Sequence, residues 1–229
     1  MFRVESYKKG MMYSTGLNII ARGIGFVNTL IIAYYFGANA STDIYFMVLS
    51  VALIISSVIN GNDYLILIPE AMKLRERESD MSSQKFLNFF LYAYACIGIL
   101  LAILIIGSPL FFYSLFSKFD KNILIDNSKI LYVGAVIILF QFLNNFLNAI
   151  LSSYKFFTAP IVTGLINSIF SIVLTVLLHD KLGIVGTIMA VAIGTVVNFF
   201  LLIYLLKKYQ QWNFFLVLWM GKKTVWSNL

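Results

Sequence analysis

Long apolar runs separated by short polar breaks fill most of this chain. Six runs, approximately 15–35, 42–68, 86–112, 130–151, 161–178 and 184–206, are long enough to cross a bilayer as helices. A membrane β-barrel would instead show segments of about ten residues with alternating hydrophobicity. The pattern therefore predicts an all-α fold, a polytopic membrane bundle of six transmembrane helices. The breaks carry their own signals. Phe36-Gly37-Ala38-Asn39-Ala40-Ser41 reads as a short turn, and Ser41 or Thr42 can cap the second helix. Pro69 ends or kinks that helix, because proline lacks an N–H and clashes with the preceding turn. Pro160 suits the start of the fifth helix, where the missing N–H costs nothing. His179-Asp180-Lys181-Leu182-Gly183 makes a tight link between the fifth and sixth.

Composition agrees with the pattern. Hydrophobic residues make up 60% of the 229 and charged ones only 12%, about half the share in an ordinary soluble domain. A net charge of +7 would suggest nucleic acid in a soluble protein. In a membrane protein it follows from the enrichment of Lys and Arg in cytoplasmic loops, so no nucleic-acid partner is expected. With the N-terminus placed inside, twelve of the 17 basic residues fall on the cytoplasmic side and four outside. Both termini are then cytoplasmic. The chain divides into a cytoplasmic segment 1–14, a six-helix lobe 15–206 and a cytoplasmic or interfacial tail 207–229. Trp212, Trp219 and Trp226 with Lys222 and Lys223 suit an interfacial tail that touches membrane lipids, or the start of a seventh span. The first apolar run is too long for the core of a cleaved signal and reads as an uncleaved anchor. Cys96, the single cysteine, reads as a small core residue with no disulfide partner.

Polar residues inside the spans narrow the reading. Arg22 sits mid-way along the first run. A guanidinium cannot shed its proton, and at that depth it costs about 2.5–3.5 kcal/mol on insertion scales. Such a residue faces protein or a wet cavity, which suggests a protein that handles something negative. Asn18, Arg22, Gly25 and Thr29 share one helical face. Ser56, Asn60 and Asp63 line up on the second helix, and Gln141, Asn144, Asn145 and Asn148 on the fourth. Gly164, Asn167, Ser168, Ser171 and Thr175 do so on the fifth. These stripes either converge on a hydrated cavity or join helices by hydrogen bonds, worth about 0.6 kcal/mol each on average. The small residues Gly186, Ala190 and Gly194 read as plain helix packing. Asp43 and Asp63 are the acids inside spans and the candidates for coupling to an ion. Asp43 lies at a helix start, where a carboxylate is favourable anyway. The run Lys73 to Glu78 reads as a solvated loop helix. His179 is the one histidine, so no His-based metal cluster can form. No Walker loop or glycine-rich phosphate cradle is present. No metal, cofactor or catalytic activity is expected.

Several short stretches, in order, resemble the MurJ/MviN lipid-linked precursor flippases of the multidrug/oligosaccharidyl-lipid/polysaccharide exporter superfamily. They are Ala21-Arg22-Gly23-Ile24-Gly25-Phe26-Val27, Tyr35-Phe36-Gly37-Ala38, Asp43-Ile44-Tyr45-Phe46, Gly61 with Pro69, and Tyr154-Lys155-Phe156 followed by Pro160 and Asn167. The resemblance implies two six-helix lobes around a central cavity, of which this chain supplies the first. It implies movement of an undecaprenyl-pyrophosphate-linked sugar, lipid II or a polysaccharide precursor, across a bacterial cytoplasmic (inner) membrane. Arg22 then matches a cavity arginine and Asp43 the acid after the Phe-Gly turn. The family's other arginine positions fall at Asn28 and near Ser56, so the cationic cavity is reduced to one arginine.

The expected function is thus a flippase working by alternating access, with Arg22, Asn18, Asn28, Asn60, Asn144 and Asn148 meeting the substrate. Since the chain ends after one lobe, it is expected to be a fragment, a truncated product, or a half-transporter with a homodimer partner. Two other classes stay open: a drug or cation antiporter of the same superfamily, and a non-transporting membrane scaffold. A prenyl-phosphate transferase would need an acidic metal cluster that the sequence lacks.

Overall fold

The structure, a computed structural model, describes residues 7–215 and contains helices but no strand among them. The order is α1 (Tyr7–Phe36), α2 (Ala40–Asn62), a π-helical turn (Asp63–Leu67), α3 (Ile68–Arg77), α4 (Asp80–Gly107), α5 (Pro109–Ser114), α6 (Lys121–Asp126), α7 (Ser128–Ser153) and α8 (Thr158–Gln210). Five of the resulting helical stretches are long and apolar enough to cross a membrane. They are Met12–Phe36, the continuous Ala40–Arg77, Asp80–Gly107, Ser128–Ser153 and Thr158–Gln210. The expected all-α bundle is therefore present, and the last two expected spans run together in one helical element.

That element is not a straight rod. Its 53 residues would reach about 80 Å if straight, far beyond a bilayer core of about 30 Å. Gly183 breaks it, at φ 57° and ψ −144°, a conformation that a residue with a Cβ can hardly adopt. Ser171 Oγ donates to the Ala190 carbonyl at 3.4 Å, although these residues lie 19 apart in sequence. In a continuous helix they would stand about 28 Å apart. So α8 folds back on itself, and its two arms pack along Asn167, Ser171, Ala190 and Gly194. A Cβ on Gly194 would run into the Asn167 and Ser171 side chains, which is the close approach expected of a small-residue ridge.

The core is built around α7. Most of its apolar window is buried, 61%, against 6% for that of α1. Towards its N-terminal end α7 packs with α2, α5 and α8 through Ile44, Val48, Tyr113, Ile138, Phe142 and Ile188. Near its other end Leu87, Phe146, Ile150 and Leu206 join α4, α7 and α8. α1 packs chiefly against α8 and leaves most of its length exposed. Its C-terminal end is pinned by Tyr35, whose ring centre lies 3.8 Å from that of His179 at the α8 fold.

Several local expectations change. Asn39, rather than Ser41 or Thr42, caps α2, its side chain accepting from the Thr42 N–H at 3.0 Å. Pro69 does not end the second helix. The chain widens into a π turn just before it, with Ile68 N–H reaching back to the Asp63 carbonyl, and continues to Arg77. This absorbs the proline without a free end. The third run stops at Gly107, because Ser108 is non-helical and Pro109 starts a new short helix. Cys96 is exposed rather than in the core. Trp212 is buried within the fold, with its indole Nε1–H donating to Asn88 Oδ1 at 2.8 Å. Trp219, Trp226, Lys222 and Lys223 lie outside the described residues.

Candidate functional site

A polar pocket opens between the second half of α2 and the last turns of α7. Ser57, Asn60, Gly61 and Tyr64 line one wall, and Asn145 and Asn148 the other, around about 310 Å³. Asn60 and Asn148 were both expected to meet the substrate, and the fold does bring them together. Asn60 is 9% exposed, and neither its side-chain oxygen nor its nitrogen has a hydrogen-bond partner. The Asn148 side-chain oxygen is likewise unpartnered. Leaving such a group unsatisfied costs about 1–3 kcal/mol. Both residues line the pocket, and no neighbouring helix satisfies these side-chain atoms. Their neutral donor–acceptor chemistry suits hydroxyl and amide groups. The volume lies at the small end of ligand pockets.

Asp63 lies on the same turn of chain as the pocket, as the first residue of the π turn. It is fully buried, and Tyr94 of α4 donates its hydroxyl proton to Asp63 Oδ1 at 2.5 Å. Oδ2 has no partner. Asp43 differs in every respect: it is exposed in the first turn of α2, where it complements the helix dipole.

The remaining expected residues scatter. Asn144 does not line the pocket. It is buried, and its Nδ2 donates to the Thr195 carbonyl of α8 at 3.0 Å, which makes it a link between helices. Asn18 and Arg22 are exposed on α1, away from the pocket lining. Asn28 is half-buried and meets Tyr45 of α2. Ser57 and Tyr64 were not expected. The signal was there: they stand three residues before and four after Asn60, on its face of the helix.

A second cluster ties the opposite face of α3 to the start of α4 and the ends of α7 and α8. The Arg75 guanidinium lies 3.6 Å from the centre of the Tyr154 ring. Its Nε stands 3.2 Å from Asp80 Oδ1, an ion pair without hydrogen-bond alignment. The Tyr154 hydroxyl donates to the same carboxylate at 2.7 Å, and burial pushes that hydroxyl up from its ordinary value. Arg75 is thus not part of a solvated loop helix. Gln84 and Asn88 of α4 hold the chain at Asn213 and Trp212.

The family model for the lipid II flippase MurJ matches residues 32–222. The chain belongs to the MurJ family. Its match covers α2 to α8 and begins within α1, after Asn18, Arg22 and Asn28. A probable lipid II flippase MurJ of Borreliella burgdorferi (strain ATCC 35210 / DSM 4680 / CIP 102532 / B31) is 25% identical over 181 residues. That alignment covers 78% of this chain and 35% of the relative, so the chain spans about a third of that relative's length. No solved structure matches the chain. Family membership and five apolar helices together make this a multi-pass protein of the inner membrane.

Proposed function

We propose that the chain forms the first lobe of a flippase that carries an undecaprenyl-pyrophosphate-linked sugar from the inner to the outer leaflet. The observation that carries this reading is the match to the MurJ family, which takes in both walls of the polar pocket. With the N-terminus inside, α7 runs inward, and Asn145 and Asn148 lie within two or three turns of its cytoplasmic end. The pocket then opens where a headgroup made in the cytoplasm would arrive. In this reading α8 crosses the membrane twice, folding back at Gly183, and the lobe crosses six times.

Asn60 and Asn148 bind polar groups of the headgroup, and Arg22 pairs with the pyrophosphate through its planar fork. Asn18 and Asn28 flank Arg22 on α1. The exposed face of α1 would form one wall of the full cavity, with a second lobe, from a further stretch of chain or a second copy, forming the other. Alternating access follows from rocking of the two lobes around that cavity. Asn144 belongs to the lobe's internal packing in this scheme. Of the two acids, Asp63 is the better placed to couple an ion, being buried beside the pocket.

The test is headgroup labelling from outside, in cells depleted of their own lipid II flippase and expressing the full protein. Restored labelling is expected for the unchanged protein, and a loss of at least tenfold for Arg22→Ala and for Asn60→Leu. Full labelling by both variants at normal expression would remove these residues from the site. Failure of the unchanged, well-expressed protein to restore labelling would overturn the flippase reading. No use of orphaned amides in a pocket is offered by a scaffold, and the family match favours a lipid-linked substrate over a drug.

A further inference from the structure

A carboxyl group with no exposure and no cation beside it cannot remain ionised cheaply; an unpaired buried charge costs several kcal/mol. Asp63 is in that position. The titratable groups set against it are Tyr94 of α4 and Tyr64 of its own turn, and among the described residues no basic group is set against it. Tyr94 already donates to Oδ1, while Oδ2 points to no partner. A metal cation is poorly served here. Hard cations gather about six oxygen ligands. Among the described residues no group of three His, Cys, Asp or Glu is placed to hold one. What fits an orphan carboxylate oxygen in a closed site is a single proton.

We propose that Asp63 is a proton-binding site whose occupancy sets the conformation of the π turn. Protonated on Oδ2, Asp63 stays buried against Tyr94 and the wide turn is kept. On release, the O–H bond breaks and the proton passes to water, leaving a carboxylate that must itself reach water. The pocket offers a polar space beside it, since Asn60, Gly61 and Tyr64, which flank Asp63 in sequence, line it. Reaching it requires the chain to rotate at the π turn, the one place in the second span where the helical register is already loosened. Rotation there moves Asn60 and Tyr64, so proton release and pocket shape are coupled. This deepens the transport reading by naming the ion and the element that it moves.

The experiment is a pH titration of the full chain in lipid nanodiscs by infrared difference spectroscopy, without substrate. A protonated-carboxyl C=O stretch is expected at neutral pH. It should be lost in Asp63→Asn and move to higher frequency in Tyr94→Phe, which removes the bond to Oδ1. It should also persist when sodium replaces potassium. Absence of the band, its survival in Asp63→Asn, or its disappearance in sodium would each overturn the proposal. Since no substrate is present, the result is independent of flipping: an intact band in a protein that moves no lipid sinks only the transport reading.

Discussion

Replacing Gly134 by alanine tests the packing that holds α2, α5 and α7 together. A Cβ at this position would overlap the Tyr113 hydroxyl of α5 and stand 2.6 Å from Val48 Cγ1 of α2. Ordinary carbon contacts lie at about 3.5–4.0 Å. Neither neighbour can yield easily, because both Tyr113 and Val48 are fully buried. Overpacking of this kind costs about 1–3 kcal/mol, and two simultaneous clashes place it near the upper end. Alanine also gains up to about 1 kcal/mol over glycine in a helix, which would mask part of the loss. Gly164→Ala supplies the control: a Cβ there meets nothing within 4 Å. The propensity gain is common to both variants and cancels in their difference. That difference should then read about 2–3 kcal/mol, a factor of roughly 30 to 150 in the unfolding equilibrium. Reversible unfolding in mixed micelles, followed by helical circular dichroism, measures it. Equal stability of the two variants, within about 0.5 kcal/mol, would show that α2, α5 and α7 do not meet at Gly134.

Three further outcomes follow from the site. In a Cys96→Ser background, which removes the exposed native thiol, cysteines at Asn60 and Asn148 should react with a water-soluble maleimide. A cysteine at Asn144 should react at least tenfold more slowly, and equal rates at all three would deny a distinct pocket. Asn144→Leu should change unfolding free energy by no more than about 1–2 kcal/mol and leave transport within about twofold, since it removes one interhelical bond. A tenfold loss of transport at normal stability would return Asn144 to the substrate site. Trp212→Phe keeps the ring packing but deletes the bond to Asn88 Oδ1; thermal unfolding should report a loss of about 1–2 kcal/mol, and an unchanged midpoint would mean that this bond contributes nothing.

Apolar run length was enough to place the helices, because hydrocarbon thickness imposes one scale on every span. It also marked the link at 179–183, and α8 does close on itself there. That depends on Gly183 adopting a positive φ, which the sequence permits but does not demand. Polar stripes were legible as stripes, yet their use was not. Asn144 and Asn148 stand four residues apart on one face, and one pairs with a helix while the other opens to a pocket. The difference lies in which neighbour stands opposite, and spacing along one helix carries no information about that. Arg75 and Trp212 were misjudged for a related reason. An arginine among acidic residues and a tryptophan near a terminus look like surface residues, whereas here they pack on Tyr154 and pair with Asn88 across the fold.

The pairing of Trp212 with Asn88 has a consequence for the order in which the protein is made. The two partners are separated by 124 residues. When α4 has been synthesised, the groups that hold its first turns to the end of α8 do not yet exist. They arrive only after both arms of α8 have emerged and inserted. Among the described residues, the seam between α4 and the chain at 212–214 is therefore the last part able to close during translation. A ribosome that stalls, or a message that stops, at Trp212 would leave the five apolar helical stretches complete and that end of the bundle unsealed.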